Sequence, residues 1–366
     1  VRDNTKQFCQ KNLIPEVVKN NRNHFFDKNI FKEFGKMGLL GSTIKGYGSA
    51  EINKVSYGLI AFEIESVDSS YRSAISVQSS LVCDPINNFG TKEMKEKYLP
   101  DLIKGNIIGC FGLTESEAGS DPSSMKTNFK EYDDHFTING SKNWITNAPI
   151  ADIFLIWAMN ENKDLKLFLI PKNTKGLSSS FIKDKTSLKI SPTGQIILDN
   201  IKISKEYALP FTKGWSSVFE CLNNARYGIA WGVMGAATNS WLIAKDYTEN
   251  RIMFRKPLAA NQLIQKKLAI IQTEISLGLS GCLHTGRSLD KGKDAKIAIS
   301  MMKRNNCKKA IEIVRECRDM MGANGLLEDY HIMRHLVNLE TVKTYEGAED
   351  IHALILGKFQ TKLDSF

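Results

Sequence analysis

Three signatures that would place this sequence in a familiar class are missing. None of its seven cysteines forms a Cys-x-x-Cys pair, and an odd number does not suit a disulfide framework, so the sequence favours a reducing compartment without a zinc ribbon. No stretch is apolar enough to span a bilayer, and the nearest candidate, Tyr227–Ala244, is typical of a buried helix. A leader peptide is not visible, but the chain begins at Val1 rather than at methionine. We therefore expect N-terminal sequence to be missing and leave targeting open.

Short motifs for nucleotide, hydrolase and metal sites are also absent. There is no Walker motif, and Gly46-Tyr47-Gly48 lacks the third glycine of a dinucleotide-binding fingerprint. No Gly-x-Ser-x-Gly motif indicates a serine hydrolase. His331 and His335 have the spacing of two metal ligands on one helix face, but the sequence offers no third ligand. We expect packed or surface histidines and no metal.

The net charge of +9 admits three explanations. Lysine and arginine are scattered, and the densest clusters, Lys266–Lys267 and Lys303–Lys309, are short. Solvated helix faces are the simplest explanation. A basic pocket for a phosphate-bearing ligand comes second, and a nucleic-acid surface is least favoured.

The residues that are present fall into three blocks. Apolar residues recur every three or four positions in Phe31–Leu40 and Lys92–Leu102, which predicts a helical domain over residues 1–110. Long helical patterns return later, as in Ala310–Met321, and predict a helical bundle over residues 206–366.

Residues 111–205 have the composition of strands. Phe136–Ile138 and Asn143–Ile145 are separated by Asn139-Gly140, a dipeptide that predicts a tight hairpin because both turn residues tolerate positive φ. Further strands are predicted at Ile153–Trp157, Leu165–Ile170 and Gln195–Leu198. The predicted fold class is therefore α+β, with a central antiparallel β-domain between two helical domains.

Two segments are candidates for chemistry. Cys110–Met125, CFGLTESEAGSDPSSM, combines small residues, hydroxyls and free backbone N–H groups, which suit a phosphate or a polar ring edge but also an ordinary loop. Lys343–Gly357, KTYEGAEDIHALILG, places Glu346 between an aromatic residue and a glycine just before a helix. That carboxylate can complement the helix dipole or act as a positioned base, and the residues alone leave both open.

Five separated motifs occur together and in order. They are LTES-AGSD at 113–121, WITN at 144–147, RIMF-PL-NQ at 251–262, MGANG at 321–325 and YEG at 345–347. In this order and spacing they resemble the acyl-CoA dehydrogenase family along nearly the whole chain. The resemblance implies an N-terminal helical domain, a middle β-domain and a C-terminal four-helix bundle, in agreement with the three blocks.

Within the family, the chain most resembles the glutaryl-CoA dehydrogenase branch. The segments that carry this resemblance are YRSAISVQSSL at 71–81, CLNNARYGIAWGVMGA at 221–236, NQLIQKKLA at 261–269 and DIHALILG at 350–357. It implies FAD-dependent oxidation and decarboxylation of glutaryl-CoA to crotonyl-CoA and CO2, with FAD taking up the β-hydride. It also implies an electron-transfer flavoprotein as acceptor, a homotetramer, and a place in the mitochondrial matrix or the bacterial cytoplasm, without nucleic-acid or membrane partners.

The resemblance assigns substrate residues position by position. Glu346 is implied as the base that removes the α-proton of the thioester. Arg72 is implied as the anchor of the distal carboxylate, with Glu65 and Ser76 expected on the same helix face. The remaining implied substrate contacts are Ser73, Ser120, Phe219, Leu222, Asn223, Arg226, Tyr345 and Gly347.

The implied contacts with FAD fall into four groups. The segment along the flavin and its phosphates is matched by Phe111, Leu113, Thr114, Gly119 and Ser120. The strand beside the isoalloxazine ring is matched by Trp144, Thr146 and Asn147. Residues that reach the FAD of a neighbouring subunit are matched by Arg251, Phe254 and Gln262. The pyrophosphate loop is matched by Asp319, Gly322 and Ala323, and Ala348 lies near the FAD.

Three positions depart from the family pattern. Ala323 stands where a second glycine is usual, and its methyl group would crowd the pyrophosphate if the backbone needs a positive φ. Ala348 replaces a common threonine and removes a hydroxyl, and Arg255 replaces a usual glycine. These departures bear on FAD affinity and leave the base unaffected.

Two rival functions stay open. The first is another acyl-CoA dehydrogenase, with a different acyl chain or without decarboxylation, and only Arg72 and its neighbours argue against a different chain. The second is a DNA-binding, repair-associated member of the same fold, which the net charge of +9 permits but which would need a clustered basic face.

Overall fold

The computed structural model describes residues 1–364, and the N-terminal block is helical as predicted. Its α-helices are α1 Arg2–Phe8, α2 Ile14–Arg22, α3 Ile30–Lys36, α4 Lys54–Glu65, α5 Ser69–Ser76, α6 Asp84–Phe89 and α7 Lys92–Ile103. π-Helical segments, Cys9–Leu13 and Val77–Cys83, continue α1 into α2 and α5 into α6. Side chains at the N-caps of α4, α5 and α7 accept backbone N–H groups, so each of these starts is encoded locally.

The central block is a mixed sheet rather than a purely antiparallel one. Its strands are β1 Gly109–Gly112, β2 Asn128–Glu131, β3 His135–Thr146, β4 Ile153–Met159, β5 Leu165–Pro171, β6 Leu177–Phe181 and β7 Thr193–Ser204. The order is β1-β4-β2-β3-β7-β6, and β5 also pairs with β4. β1 and β4 run parallel because the chain passes through the β2–β3 pair between them and returns in its original direction.

The predicted hairpin at Asn139-Gly140 is wrong. β3 runs without a break from His135 to Thr146 and pairs with β7 on both sides of this dipeptide. Gly140 has φ +145° and sits at a register shift, where a Cβ would lie 2.6 Å from the Cα of Thr127. The glycine is therefore needed for a bulge and a close backbone approach, not for a turn.

The C-terminal block is a helical bundle with a short hairpin. Its elements are α8 Trp215–Asn250, β8 Ile252–Met253, β9 Lys256–Pro257, α9 Gln262–Asp290, α10 Lys296–Met320, α11 Ile332–Thr344 and α12 Glu349–Thr361. The predicted apolar stripe of α10 is buried, as Ala310, Val314 and Cys317 show. Tyr57 and Ala61 of α4 belong to the same hydrophobic core, so the two helical blocks pack on each other.

Helices long and apolar enough to cross a membrane do not occur between residues 1 and 364.

Candidate active site

The turn between α11 and α12 holds Glu346 in an uncommon backbone conformation. Glu346 has φ +53° and Gly347 has φ +100°, a region that glycine tolerates but that costs other residues free energy. A Cβ at Gly347 would lie 2.8 Å from Nε2 of His352, so this position requires glycine. A left-handed non-glycine residue held by its surroundings is a feature of functional sites.

Two buried cations hold this turn by its carbonyl groups. Arg226 of α8 donates from Nε to the carbonyl oxygen of Glu346 at 2.7 Å. Lys303 of α10 donates from Nζ, at 3.1, 2.9 and 2.6 Å, to the carbonyl oxygens of Lys343, Tyr345 and Gly347. Arg226 is predicted from the sequence to lie at the substrate channel, whereas Lys303 is visible there only as part of a basic cluster. Both cations tie the turn to long helices of the bundle.

The electrostatics of Glu346 suit proton transfer. Its Oε2 is shut off from solvent and has no hydrogen-bond partner among residues 1–364. Burial raises the pKa of the Glu346 carboxyl, although the charges of Arg72, Arg226 and Lys303 act to lower it. The backbone N–H of Glu346 also donates to no group in the described chain. A free N–H beside a carboxylate base can stabilise a developing oxyanion.

Arg72 is buried beside the same turn and is only partly paired. Its side chain is 2% exposed, its Nε donates to Oε2 of Glu65 at 2.6 Å, and its guanidinium donates to the hydroxyl of Tyr345. Within the described residues, Nη1 of Arg72, Oε1 of Glu65 and Oγ of Ser76 have no partner. Unpaired buried polar groups are costly, so a polar ligand that supplied partners for these atoms would be stabilised.

The expectation that Glu65 shares a helix face with Arg72 and Ser76 is wrong. Glu65 is the last residue of α4, whereas Arg72 and Ser76 lie on α5. Asp68 starts α5 by accepting the backbone N–H of Ser70 at 2.7 Å, so a new helix intervenes. The residues still meet because Glu65 reaches across to α5. Ser73, also on α5, is buried.

Gly232 of α8, which was not predicted as a site residue, makes the Arg72–Glu65 ion pair possible. A Cβ at Gly232 would collide with Oε2 of Glu65 and lie 3.3 Å from Nε of Arg72. The run of small residues in α8 was visible in the sequence. It indicated close packing without showing which group approaches.

The start of α8 forms a face that leads from the surface to the turn. Phe219 is 46% exposed, Leu222 and Asn223 are partly buried, and Arg226 is buried. Asn223 accepts from Nη1 of Arg226 at 3.3 Å. Four residues predicted to line a substrate channel therefore lie on consecutive turns that end at Glu346.

The end of β1 and the segment after it form a second candidate surface. Phe111 and Leu113 are buried, Thr114 is partly buried, and Gly119 and Ser120 are exposed. The exposed part can meet a ligand, whereas the buried part anchors the segment in the core.

Glu115, which is not among the predicted site residues, fixes this segment from the inside. Its carboxylate accepts from Nζ of Lys142 at 2.8 Å and from the backbone N–H groups of Lys126 and Thr127. Lys142 is fully buried and also donates to the carbonyl oxygen of Leu113 at 3.0 Å. The pair connects β3 to the segment that follows β1.

Trp144 presents an aromatic face beside that segment. Its side chain is 58% exposed, and its φ of +60° lies at a bulge of β3. Asn143 donates its backbone N–H to the carbonyl oxygen of Thr114 at 2.9 Å, which keeps the two elements together. An exposed indole next to free hydroxyl and N–H groups suits a flat, polar ring system.

Thr146 ends the same strand, and Asn147 follows it directly. Thr146 is partly buried, while Asn147 is fully buried at φ +68°. Nδ2 of Asn147 lies 3.4 Å from the carbonyl oxygens of Ala74 and Gly109. Asn147 therefore connects β3 to α5 and β1, although its Oδ1 has no partner in the described chain.

A third set of predicted residues lies far from Glu346 within one chain. Arg226 and Arg251 are separated by 25 positions along α8, or about 37 Å. Arg251, Phe254 and Gln262 are all exposed, Phe254 at 89%. Asp319 and Gly322 are exposed at the distant end of α10.

Comparison with known proteins identifies the family. Residues 1–106, 110–201 and 212–360 match the N-terminal, middle and C-terminal domains of acyl-CoA dehydrogenases. The chain belongs to the acyl-CoA dehydrogenase family. The predicted α+β fold of this family, with helical, β and helical domains in that order, is confirmed.

Individual acyl-CoA dehydrogenases are similar over almost their whole length. A glutaryl-CoA dehydrogenase from Mycobacterium smegmatis in complex with FADH2 is 40% identical, with a TM-score of 0.98 over 100% of this chain and 94% of that one. Butyryl-CoA dehydrogenase from Megasphaera elsdenii is 28% identical, with a TM-score of 0.95 over 98% of this chain and 96% of that one. An acyl-CoA dehydrogenase of Bacillus subtilis is 31% identical over 98% of this chain and 96% of its own length.

The departures from the acyl-CoA dehydrogenase pattern differ in their structural consequences. Ala323 follows Gly322, which has φ +57°, but Ala323 itself is not left-handed, so its methyl group causes no backbone strain. Arg255 has φ +66° directly after Phe254 at φ +50°, so the Arg255 side chain does cause backbone strain. Ala348 is the N-cap of α12 and offers no side-chain acceptor.

Proposed function

We propose that this acyl-CoA dehydrogenase oxidises and decarboxylates glutaryl-CoA, giving crotonyl-CoA and CO2. The observation that carries the proposal is the buried, incompletely paired guanidinium of Arg72 next to Glu346. A ligand carboxylate would complete its hydrogen bonding. A monocarboxylic acyl chain would leave Nη1 without a partner, at a cost in affinity.

Glu346 is the proposed base. Its raised pKa and unpaired Oε2 suit removal of the weakly acidic α-proton of a thioester. The free N–H of Glu346 is the donor proposed for the thioester oxygen, where negative charge develops as the proton leaves. Phe219, Leu222, Asn223 and Arg226 are proposed to line the approach of the acyl-CoA, with Tyr345 and Gly347 beside the acyl group.

FAD is the cofactor, and when bound it accepts the hydride that leaves Cβ. The exposed Trp144 and the segment 113–120 suit its ring system and phosphates. Thr146, Asn147, Asp319, Gly322, Ala323 and Ala348 are the further proposed contacts. Removal of both hydrogens gives glutaconyl-CoA, whose carboxylate is β,γ-unsaturated. Loss of CO2 leaves a stabilised dienolate, and protonated Glu346 returns a proton to give crotonyl-CoA.

The partners are proposed as an electron-transfer flavoprotein and further copies of this chain in a tetramer. Leu263, Ile270 and Leu277 recur every seven residues on α9 and are more than half exposed. A stripe of this kind suits packing against another subunit. Arg251, Phe254 and Gln262 lie beside it and would then reach a neighbouring FAD.

A second candidate is an acyl-CoA dehydrogenase for a monocarboxylic chain. The likeness to butyryl-CoA dehydrogenase from Megasphaera elsdenii favours it, because that protein shares the fold at 28% identity. Here the Arg72–Glu65 pair would be a structural ion pair rather than a carboxylate site.

Product analysis distinguishes these candidates. The purified, FAD-loaded protein is incubated with glutaryl-CoA or butyryl-CoA and an artificial electron acceptor, and the products are identified by mass. Crotonyl-CoA and CO2 from glutaryl-CoA are expected. Glutaconyl-CoA would keep Glu346 as base but contradict decarboxylation, and turnover of butyryl-CoA alone would favour the second candidate.

A further inference from the structure

We propose that Lys303 is a positioning residue for the catalytic base, because its ammonium group fixes the backbone turn that carries Glu346 and sets a positive charge beside that turn. The proposal rests on the proposed role of Glu346. It assigns a function to a lysine that the substrate and flavin sites leave unused.

Lys303 contacts the chain on both sides of Glu346. Nζ donates to the carbonyl oxygens of Tyr345 and Gly347, the residues on either side of the base, at 2.9 and 2.6 Å. It also donates to the carbonyl oxygen of Lys343, in the last turn of α11, at 3.1 Å. Lys303 therefore holds the backbone on both sides of Glu346, which sets the direction in which its side chain leaves the turn.

The three acceptors favour the ammonium form of Lys303. A neutral amine has two hydrogens, whereas an ammonium group has three, and each contacted carbonyl oxygen can only accept. Burial lowers the pKa of Lys303, and the side chain is about 1% exposed. The carbonyls, two of them at the negative end of α11, offset that cost. The lysine thus carries its charge into the bundle and gives every N–H to the turn.

The charged and titratable groups around Glu346 come from four helices. Arg72 of α5, Arg226 of α8 and Lys303 of α10 bring positive charge, and His352 of α12 packs against Gly347. Tyr345 is the adjacent phenol. Arg72 is already paired with Glu65, whereas Lys303 has no carboxylate partner within residues 1–364. Loss of the Lys303 charge should therefore raise the pKa of Glu346.

A Lys303→Met substitution removes the charge and the donors while keeping the length of the side chain. In the FAD-loaded enzyme we expect kcat to fall roughly 100-fold, the effect of misplacing a catalytic group by about 1 Å. KM should change little, because Lys303 contacts backbone rather than substrate. The acid limb of the kcat–pH profile should move upward by about one unit.

Lys185→Met is the matched control. Lys185 also donates from Nζ to two loop carbonyl oxygens, those of Leu188 and Ser191, at 3.1 and 2.7 Å. Burial lowers its pKa to about 8, but it holds a loop of the β-domain instead of the Glu346 turn. This variant should keep the parental kcat and acid limb. FAD content and thermal midpoint are measured for both variants.

Two conservative variants keep the proposal testable if Lys303→Met does not fold. Lys303→Gln retains two donors without the charge and should show the same upward shift of the acid limb. Lys303→Arg retains the charge and should leave the limb in its parental position while restoring part of kcat.

The proposal is overturned if Lys303→Met or Lys303→Gln keeps the parental kcat and acid limb. It is also overturned if Lys303→Met loses no more kcat than Lys185→Met does, or if the acid limb shifts in Lys303→Arg. Glu346→Gln separates this outcome from failure of the proposed function. If Glu346→Gln remained fully active, Glu346 would not be the base, whatever the Lys303 variants do.

Discussion

The Glu346 turn and the β8–β9 hairpin contain the same backbone strain but differ in what holds it. Glu346 has φ +53°, while Phe254 and Arg255 have φ +50° and +66°. Arg226 and Lys303 clamp the first site through four hydrogen bonds to carbonyl groups. The hairpin has no such clamp among the described residues, and Phe254 is 89% exposed.

This difference shows which part of the candidate site one chain can complete. The groups proposed for proton transfer and carboxylate binding meet within a single chain. Arg251 and Phe254, at the hairpin, are proposed to contact FAD but lie far from Glu346 in the same chain. Their position supports a site completed by a second subunit.

The largest expected effect is at the clamped turn. Glu346→Gln keeps the shape of the side chain but cannot accept the α-proton, so turnover should fall by roughly 1,000-fold or more, within the range for loss of a general base. Steady-state kinetics with glutaryl-CoA measure the change. Glu340→Gln, at an exposed glutamate of α11, is the control and should be fully active. Equal activity of the two variants would contradict the assigned base.

Acid should weaken the C-terminal helical bundle. Burial lowers the pKa of His352 to about 3 and of His331 to about 4, and it lowers that of His335 as well. These residues stay neutral in the folded state, while the unfolded chain protonates them below about pH 6.5. Because the unfolded state then binds more protons, stability is lost as the pH falls from about 6.5 and is fully present above it.

The expected contribution of His352 to this effect is about 2 kcal/mol between pH 6.5 and pH 5. Denaturant unfolding over that range measures it. His352→Gln should flatten the dependence relative to the parent. A parental slope in this variant would show that His352 is not a source of the acid sensitivity.

Relief of strain in the hairpin should be smaller. Arg255→Gly removes the side chain from a left-handed position and should raise the free energy of unfolding by about 1 kcal/mol. Arg255→Ala retains a Cβ and is the control, for which no comparable gain is expected. Thermal denaturation compares them, and equal stability of the two variants would show that the left-handed backbone is not the cause.

The smallest expected effect is at the start of α12. Ala348 occupies the N-cap without a side-chain acceptor, so Ala348→Thr should stabilise the protein by about 0.5–1 kcal/mol. Ala348→Val has the same shape without the hydroxyl and should give no gain. If valine stabilised as much as threonine, packing rather than capping would be responsible.

Much of the fold could be predicted because its signals are local. The stripe Ala310, Val314 and Cys317 indicated α10, and alternating or continuous apolar runs indicated β4 and β5. The hairpin predicted at Asn139-Gly140 was wrong because the same dipeptide also occurs at a bulge when a neighbour such as Thr127 approaches closely. Nothing local distinguishes that context from a hairpin.

Site residues within sequence motifs could be predicted, whereas those that act through tertiary contacts could not. Glu346 and Arg72 were identified from their flanking residues. Lys303 and Gly232 were missed because each acts on a segment distant in sequence, the Glu346 turn and the Glu65–Arg72 pair respectively. A lysine inside a basic cluster has the same local pattern whether it faces solvent or the interior.

The central claim, a carboxylate site at Arg72 beside a base at Glu346, is tested most directly by substrate preference. The ratio of kcat/KM for glutaryl-CoA to that for butyryl-CoA is measured in the parent and in Arg72→Leu. Arg2→Leu is the control, since the half-exposed Arg2 pairs at 2.6 Å with Glu63, which lies on α4 like Glu65. The account predicts a parental preference for glutaryl-CoA that Arg2→Leu keeps and Arg72→Leu loses. An unchanged ratio in Arg72→Leu would contradict it.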